Sequence, residues 1–192
     1  MIIGITGGTG CGKTTLLNTI AEAGGLILDC DAIYHELLQS DPSLLAAIEQ
    51  RFPGTVENGQ LQRKRLGAIV FSDEKSLLDL NAITHAAVKA EVQRRLEAKP
   101  ALAAIDAIAL FEGGLAELCD TTVAITAPLE IRVQRLMLRD SISEDYARSR
   151  ISAQHPDDWF RSRCDCILEN NGTQIQFYEK CVAFLENLGI MD

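Results

Sequence analysis

Positive charge is scarce in this sequence. Eighteen Lys and Arg face twenty-seven Asp and Glu, giving a net charge of −9 and a pI near 4.8. A nucleic-acid or anionic-membrane surface runs on Lys and Arg, so such partners are not expected. The six cysteines, Cys11, Cys30, Cys119, Cys164, Cys166 and Cys181, include no C-x-x-C pair, and Cys164-x-Cys166 is one residue too tight for the usual zinc spacing. They read as reduced, small apolar residues of a reducing compartment such as a bacterial-type cytoplasm. The start MIIGITGG has no cationic segment and no cleavage site, so it is not expected to be a signal peptide. The most apolar run, Ala101–Phe111, is short and broken by Asp106, which excludes a membrane span.

What remains is ordinary in bulk: 192 residues, 47% apolar and 23% charged. That is one domain, or one core with an insertion, and a chain of this size buries roughly 70% of its unfolded surface without staples. The positive charge it has is local. Seven of its twelve arginines (Arg132, Arg135, Arg139, Arg148, Arg150, Arg161 and Arg163) lie between 132 and 163.

Strands are predicted at 1–6, 26–29, 103–111, 121–126 and, weakly, 164–168. Helices are predicted at 13–23, 31–38, 42–52, 61–71, 74–98, 128–139, 143–154 and 173–188. The turn-rich stretch 53–60 reads as a loop. Strands alternating with helices predict a parallel sheet flanked by helices. Two stretches break the rhythm: 31–100, mostly helical, and 132–163, the Arg-rich pair. Insertions at strand carboxyl ends build the ligand crevice of an open α/β sheet.

The strongest signal is Gly7-Gly8-Thr9-Gly10-Cys11-Gly12-Lys13-Thr14, which fits G-x-x-x-x-G-K-[ST] between a predicted strand and a predicted helix. Glycines allow the positive φ values that turn successive N–H groups into an anion nest, and the helix N-terminus adds partial positive charge. Lys13 is expected on the β- and γ-phosphates and the Thr14 hydroxyl on Mg²⁺. No N-K-x-D follows, and no D-x-x-G occurs after the first helix, so a GTPase is not favoured. The size suits a small-molecule kinase. Asp29-Cys30-Asp31 closes the second predicted strand. Two carboxylates two apart point to opposite sides if extended, so one can orient an attacking hydroxyl while the other faces metal or backbone. Helix capping is the competing role for such aspartates.

In these residues the chain resembles the dephospho-coenzyme A kinase family. The likeness rests on GITGGTGCGKTT and LDCDAIYHEL. It continues through GQLQRKRLGAIVF, NAITHAAV, DAIALFE, VQRLMLRDSISEDYARSRISAQ and CDCILENNG, in order along nearly the whole chain. The resemblance implies a three-layer P-loop kinase with a five-stranded parallel sheet. The core would cover about 1–30, 101–131 and 164–192, with a helical acceptor-binding insertion at about 31–100 and an Arg-rich lid at about 132–163. It implies transfer of the ATP γ-phosphate to the ribose 3′-hydroxyl of dephospho-coenzyme A, with Mg²⁺, by a cytoplasmic monomer or weak homo-oligomer.

By the same resemblance Asp31 is the general base, and Asp29 assists or holds metal. Arg135 and Arg139, four apart on one helical face, reach the transferring phosphoryl. The nucleotide set is Gly8, Thr9, Gly10, Cys11, Gly12, Lys13, Thr14 and Thr15, with Asn170, Asn171 and Gly172 closing on adenine. His35, Arg63, His85 and Glu112 are the acceptor-side candidates. The family usually carries proline where Ala86 and Ile108 stand, and a small residue where Cys11 stands. At a helix N-terminus beside Lys13, the Cys11 thiol is expected to ionise easily and to alkylate faster than the other five.

Overall fold

The structure, a computed structural model, describes residues 1–191. Its sheet is built from β1 (Ile2–Thr6), β2 (Leu26–Asp29), β5 (Ala103–Asp106), β6 (Thr121–Thr126) and β7 (Cys166–Glu169), in the order β2-β5-β1-β6-β7. β1 lies between β5 and β6 and is parallel to both. Ile2 is opposite Ala103 on one side, and Ile3 is opposite Thr121 on the other. β6 in turn pairs parallel with β7, Val123 opposite Cys166. The chain leaves β1 towards one edge to make β2, returns to β5, and then crosses to the other edge. The loop after β1 therefore opens at a topological switch point, the position where open α/β sheets bind ligands.

The helices are α1 (Lys13–Glu22), α2 (Cys30–Ser40), α3 (Pro42–Arg51), α4 (Arg63–Val70), α5 (Glu74–Leu96), α6 (Leu129–Asp140), α7 (Glu144–Ser152), α8 (Asp157–Arg161) and α9 (Gln174–Asn187). None of these is long and apolar enough to cross a membrane. The chain forms two compact units. The first comprises residues 1–28, 100–110 and 116–192, and the second 29–99 and 111–115.

In the first unit, α1 and α9 pack together over the sheet. Their apolar sides bury Leu16, Ile20, Phe177, Cys181 and Leu185 against Ile3, Ile5, Ala104, Val123 and Ile125. Each fully buried Ile or Leu of this kind contributes about 1.5–3 kcal/mol. A capping box starts α9: the Thr173 hydroxyl accepts from the Gln176 N–H, and Gln176 Oε1 accepts from the Thr173 N–H. Ser143 caps α7 through the Tyr146 N–H, as its spacing suggests. A second small cluster, Val133, Leu136, Ala147 and Ile151, holds α6 to α7.

In the second unit, α2, α3 and α4 pack on the long α5 around Leu44, Ile48, Phe52, Leu66 and Val70. Ala86 lies inside α5, and the helix runs unbroken through it. A proline there would remove one ladder hydrogen bond and collide with the preceding turn.

Three expectations change. The stretch expected as a loop at 53–60 holds a short antiparallel hairpin, β3 (Val56–Glu57) and β4 (Gln60–Leu61). Asn58 and Gly59 turn it with φ of 52° and 72°, the left-handed pair that a tight hairpin turn requires. The strand expected to reach Phe111 ends at Asp106, and turns follow. The short α8 falls in a segment where no element was expected.

Candidate active site

The phosphate loop spans the gap between β1 and α1. Gly7, Gly10 and Gly12 have φ of 131°, 79° and 99°. Gly12 is the N-cap of α1 and provides no side-chain cap, and no acidic residue stands in the first turn. The first N–H groups of α1 thus keep their capacity for an anion. Gly8 is glycine for a different reason. A Cβ there would fall 2.1 Å from Arg132 Nη2. Lys13 reaches back across the loop and donates from Nζ to the Gly7 carbonyl at 3.0 Å.

Residues far away in sequence hold the loop in shape. Arg132, buried at 6% exposure, donates from Nε to the Thr9 carbonyl at 2.9 Å. The Thr9 N–H donates to Gln154 Oε1 at 2.7 Å. Arg135 donates from Nη1 to the Gly10 and Cys11 carbonyls at 3.2 and 3.3 Å, and from Nη2 to Asn170 Oδ1 at 3.1 Å. Asn170, 4% exposed, closes the ring by donating from Nδ2 to the Cys11 carbonyl at 2.8 Å. Its amide is therefore engaged by the loop and by Arg135 rather than offered to a base. Asn171, whose Oδ1 accepts from Lys180 Nζ at 3.1 Å, and Gly172 lie beyond it on the same turn.

The two arginines expected to act together make different contacts. Arg135 is inside the loop's hydrogen-bond ring. Arg139, one turn on and exposed, forks onto Asp140 at 2.7 and 3.0 Å. Arg139, and then Arg150, hold the Asp140 carboxyl at about 2. Exposed pairs of this kind bind weakly, so Asp140 does not fix the Arg139 guanidinium.

Cys11 corrects the expectation of a reactive thiol. It is fully buried in the core beneath the loop, and burial pushes its thiol up, outweighing the nearby Arg132 and Lys13 charges. Maleimide labelling of the native protein, read by peptide mass spectrometry, should leave Cys11 unmodified until the protein is unfolded. Labelling at the rate of an exposed thiol would contradict this burial.

In the second unit, Asp29 caps α2: its Oδ1 accepts from the Asp31 and Ala32 N–H groups at 2.9 and 3.0 Å. Asp31 is already in the first turn of that helix, so the extended geometry expected of the pair does not hold. His35, one turn later, places Nδ1 2.7 Å from the Asp31 carbonyl. A carbonyl only accepts, so Nδ1 carries the proton. Arg63 opens α4, and its charge acts on the Tyr34 phenol, which burial pushes up. His85 is on α5 one turn before Lys89, whose Nζ lies against Gly114, two residues from Glu112.

The sequence pattern did not single out Arg132 or Gln154 as partners of the phosphate loop. Nothing local marks Arg132 or Gln154 as partners of Thr9.

The family model described as dephospho-CoA kinase (CoaE) matches residues 1–176. A dephospho-CoA kinase of Syntrophotalea carbinolica is 35% identical across 98% of this chain and 92% of its own length. One from Moorella thermoacetica is 39% identical across 80% of this chain and 76% of its own. A crystal structure from Thermus thermophilus superposes with a TM-score of 0.82 at 33% identity, covering 98% of this chain and 97% of that one. A shikimate kinase from Bacteroides thetaiotaomicron, at 17% identity and a TM-score of 0.59, covers 98% of each chain and shares the fold. A full-length phosphate loop, its supporting ring and this breadth of similarity lead to one assignment: the chain belongs to the dephospho-CoA kinase family.

Proposed function

We propose that this chain transfers the γ-phosphate of ATP to the ribose 3′-hydroxyl of dephospho-coenzyme A, the last step of coenzyme A synthesis. The phosphate loop carries the reading. Its N–H groups and Lys13 suit a polyphosphate, within a chain that matches the family over residues 1–176. Donor binding falls to Gly8, Thr9, Gly10, Cys11, Gly12, Lys13, Thr14 and Thr15, with Asn171, Gly172 and the backbone of Asn170 on the adenine side. Acceptor binding falls to Asp29, Asp31, His35, Arg63, His85 and Glu112. The segment 132–163 acts as a lid that excludes water during transfer.

Asp31 is the base. Its carboxylate takes the proton of the acceptor hydroxyl as that oxygen bonds to the γ-phosphorus. The bond from the γ-phosphorus to the β–γ bridging oxygen breaks, and ADP leaves with that electron pair. Asp29, through its N-cap bonds, fixes the first turn of α2 and so the position of Asp31. Lys13 and Arg139 hold charge on the transferring phosphoryl oxygens, a role suited to guanidinium and ammonium donors. Arg135 acts by holding the loop and Asn170 in register.

Among the described residues no three or more His, Cys, Asp or Glu gather as a metal cage. Thr14 and Asp29 would each offer a hard oxygen to a Mg²⁺ ion, which would be bound largely through nucleotide phosphates and would neutralise their charge. The enzyme is expected to act in the cytoplasm as a monomer or weak homo-oligomer.

Coupled ADP release against dephospho-coenzyme A, adenosine, AMP and shikimate tests the acceptor. Turnover with dephospho-coenzyme A alone is expected. Background rates with it and turnover of another acceptor would overturn the reading.

A further inference from the structure

Arg132 belongs to the Arg-rich segment, yet it does not face solvent as a lid cation would. Its side chain is 7% exposed, and its Nη1 lies 3.6 Å from Asp157 Oδ1. The guanidinium is directed at one peptide of the phosphate loop. Nε–H meets the Thr9 carbonyl, while Gln154 Oε1 receives the N–H of the same residue. The two gripping side chains also meet each other, Arg132 Nη2 to Gln154 Oε1 at 3.4 Å. Two donors converge on that atom, so it is the amide oxygen and the Gln154 side chain has one orientation. Thr9 is thereby held at both its backbone polar atoms, by residues 123 and 145 positions away.

We propose that Arg132 and Gln154 are positioning residues for phosphate transfer. They clamp the Thr9 residue, so that the loop from Gly8 to Lys13 holds its nest shape before nucleotide arrives. The inference rests on the reading that this loop binds the phosphates of ATP. It has a physical basis in preorganisation: a loop already fixed by the protein loses less freedom when its ligand binds. Gly8 fits the same account, because any larger residue would displace Arg132 from its place beside Thr9. Gln154 lies two residues beyond the end of α7, so the clamp also ties the lid segment to the donor site.

The test is Gln154→Met, which keeps length and removes the acceptor. ATP affinity by titration calorimetry is expected to weaken about tenfold, the size of one lost hydrogen bond. The KM for ATP should rise with it, and the KM for the acceptor should stay unchanged. The Thr9 amide proton should move upfield in the NMR spectrum. Arg132→Gln, which retains a donor for the Thr9 carbonyl, should give a smaller rise in the same direction. An ATP affinity equal to wild type in both variants overturns the clamp. So does a rise in both KM values with a lowered melting temperature, which would make the pair merely structural. Calorimetry needs no acceptor, so a wild type that binds ATP but leaves dephospho-coenzyme A untouched overturns the proposed reaction, and ATP affinity still decides the clamp.

Discussion

Asp31→Asn binds ATP as the wild type does and transfers phosphate about 10²–10⁴-fold more slowly, the usual value of a positioned general base. The substitution is nearly isosteric at an exposed position in the first turn of α2, so the fold is not at risk. The Asp31 N–H that donates to Asp29 Oδ1 belongs to the backbone and survives the change. What is lost is the ability to accept the proton of the acceptor hydroxyl. Single-turnover transfer and ATP calorimetry on the same preparation separate the two effects. Equal loss of ATP binding and transfer would reassign Asp31 to holding metal or structure.

Lys13→Ala produces the complementary pattern, with both ATP affinity and transfer falling. Removal of one preorganised donor to transition-state charge costs about 10²–10³ in rate. Here the ammonium is also part of the loop, through its bond to the Gly7 carbonyl at 3.0 Å. Lys13→Arg should not restore activity, because a planar fork cannot replace a compact point charge inside a nest of this size. Lys13 is the first residue of α1 and half-buried, so thermal unfolding should change little. Wild-type transfer by Lys13→Ala would remove the loop from the mechanism.

The parts of the site legible in the sequence are the local ones. The phosphate loop is a contiguous segment whose glycines, lysine and flanking strand and helix all lie within about one turn of each other. Asp29 and Asp31 follow the second strand directly, although their relation is that of a cap and a first-turn residue rather than an extended pair. The ring that supports the loop was not legible. Asn170 meets Cys11 across 159 positions and Arg132 meets Thr9 across 123, and no periodicity reports such contacts. Cys11 shows a local rule losing to burial. A helix N-terminus and a neighbouring lysine favour the thiolate, but a fully enclosed sulfur pays the larger desolvation cost. The hairpin at Val56–Leu61 was foreshadowed by Asn58-Gly59, yet its strands are two residues each, too short for an alternating pattern to show.

The acidic balance of the chain also takes a clearer meaning. Positive charge is not spread over a binding surface. Lys13, Arg132 and Arg135 all touch the phosphate loop, while Arg139, Arg148, Arg150 and Arg161 are paired with carboxylates. A net charge of −9 is therefore compatible with a site for a polyanion, because the cations are placed where the phosphates are received.

In the proposed reaction the γ-phosphate of ATP ends on the ribose 3′-hydroxyl. Phosphorus NMR of the product formed from ATP and dephospho-coenzyme A measures this directly. One new monoester resonance assigned to the 3′-position is expected, equal in amount to the ADP formed. A phosphate on any other hydroxyl, or inorganic phosphate in place of a phosphorylated acceptor, would contradict it.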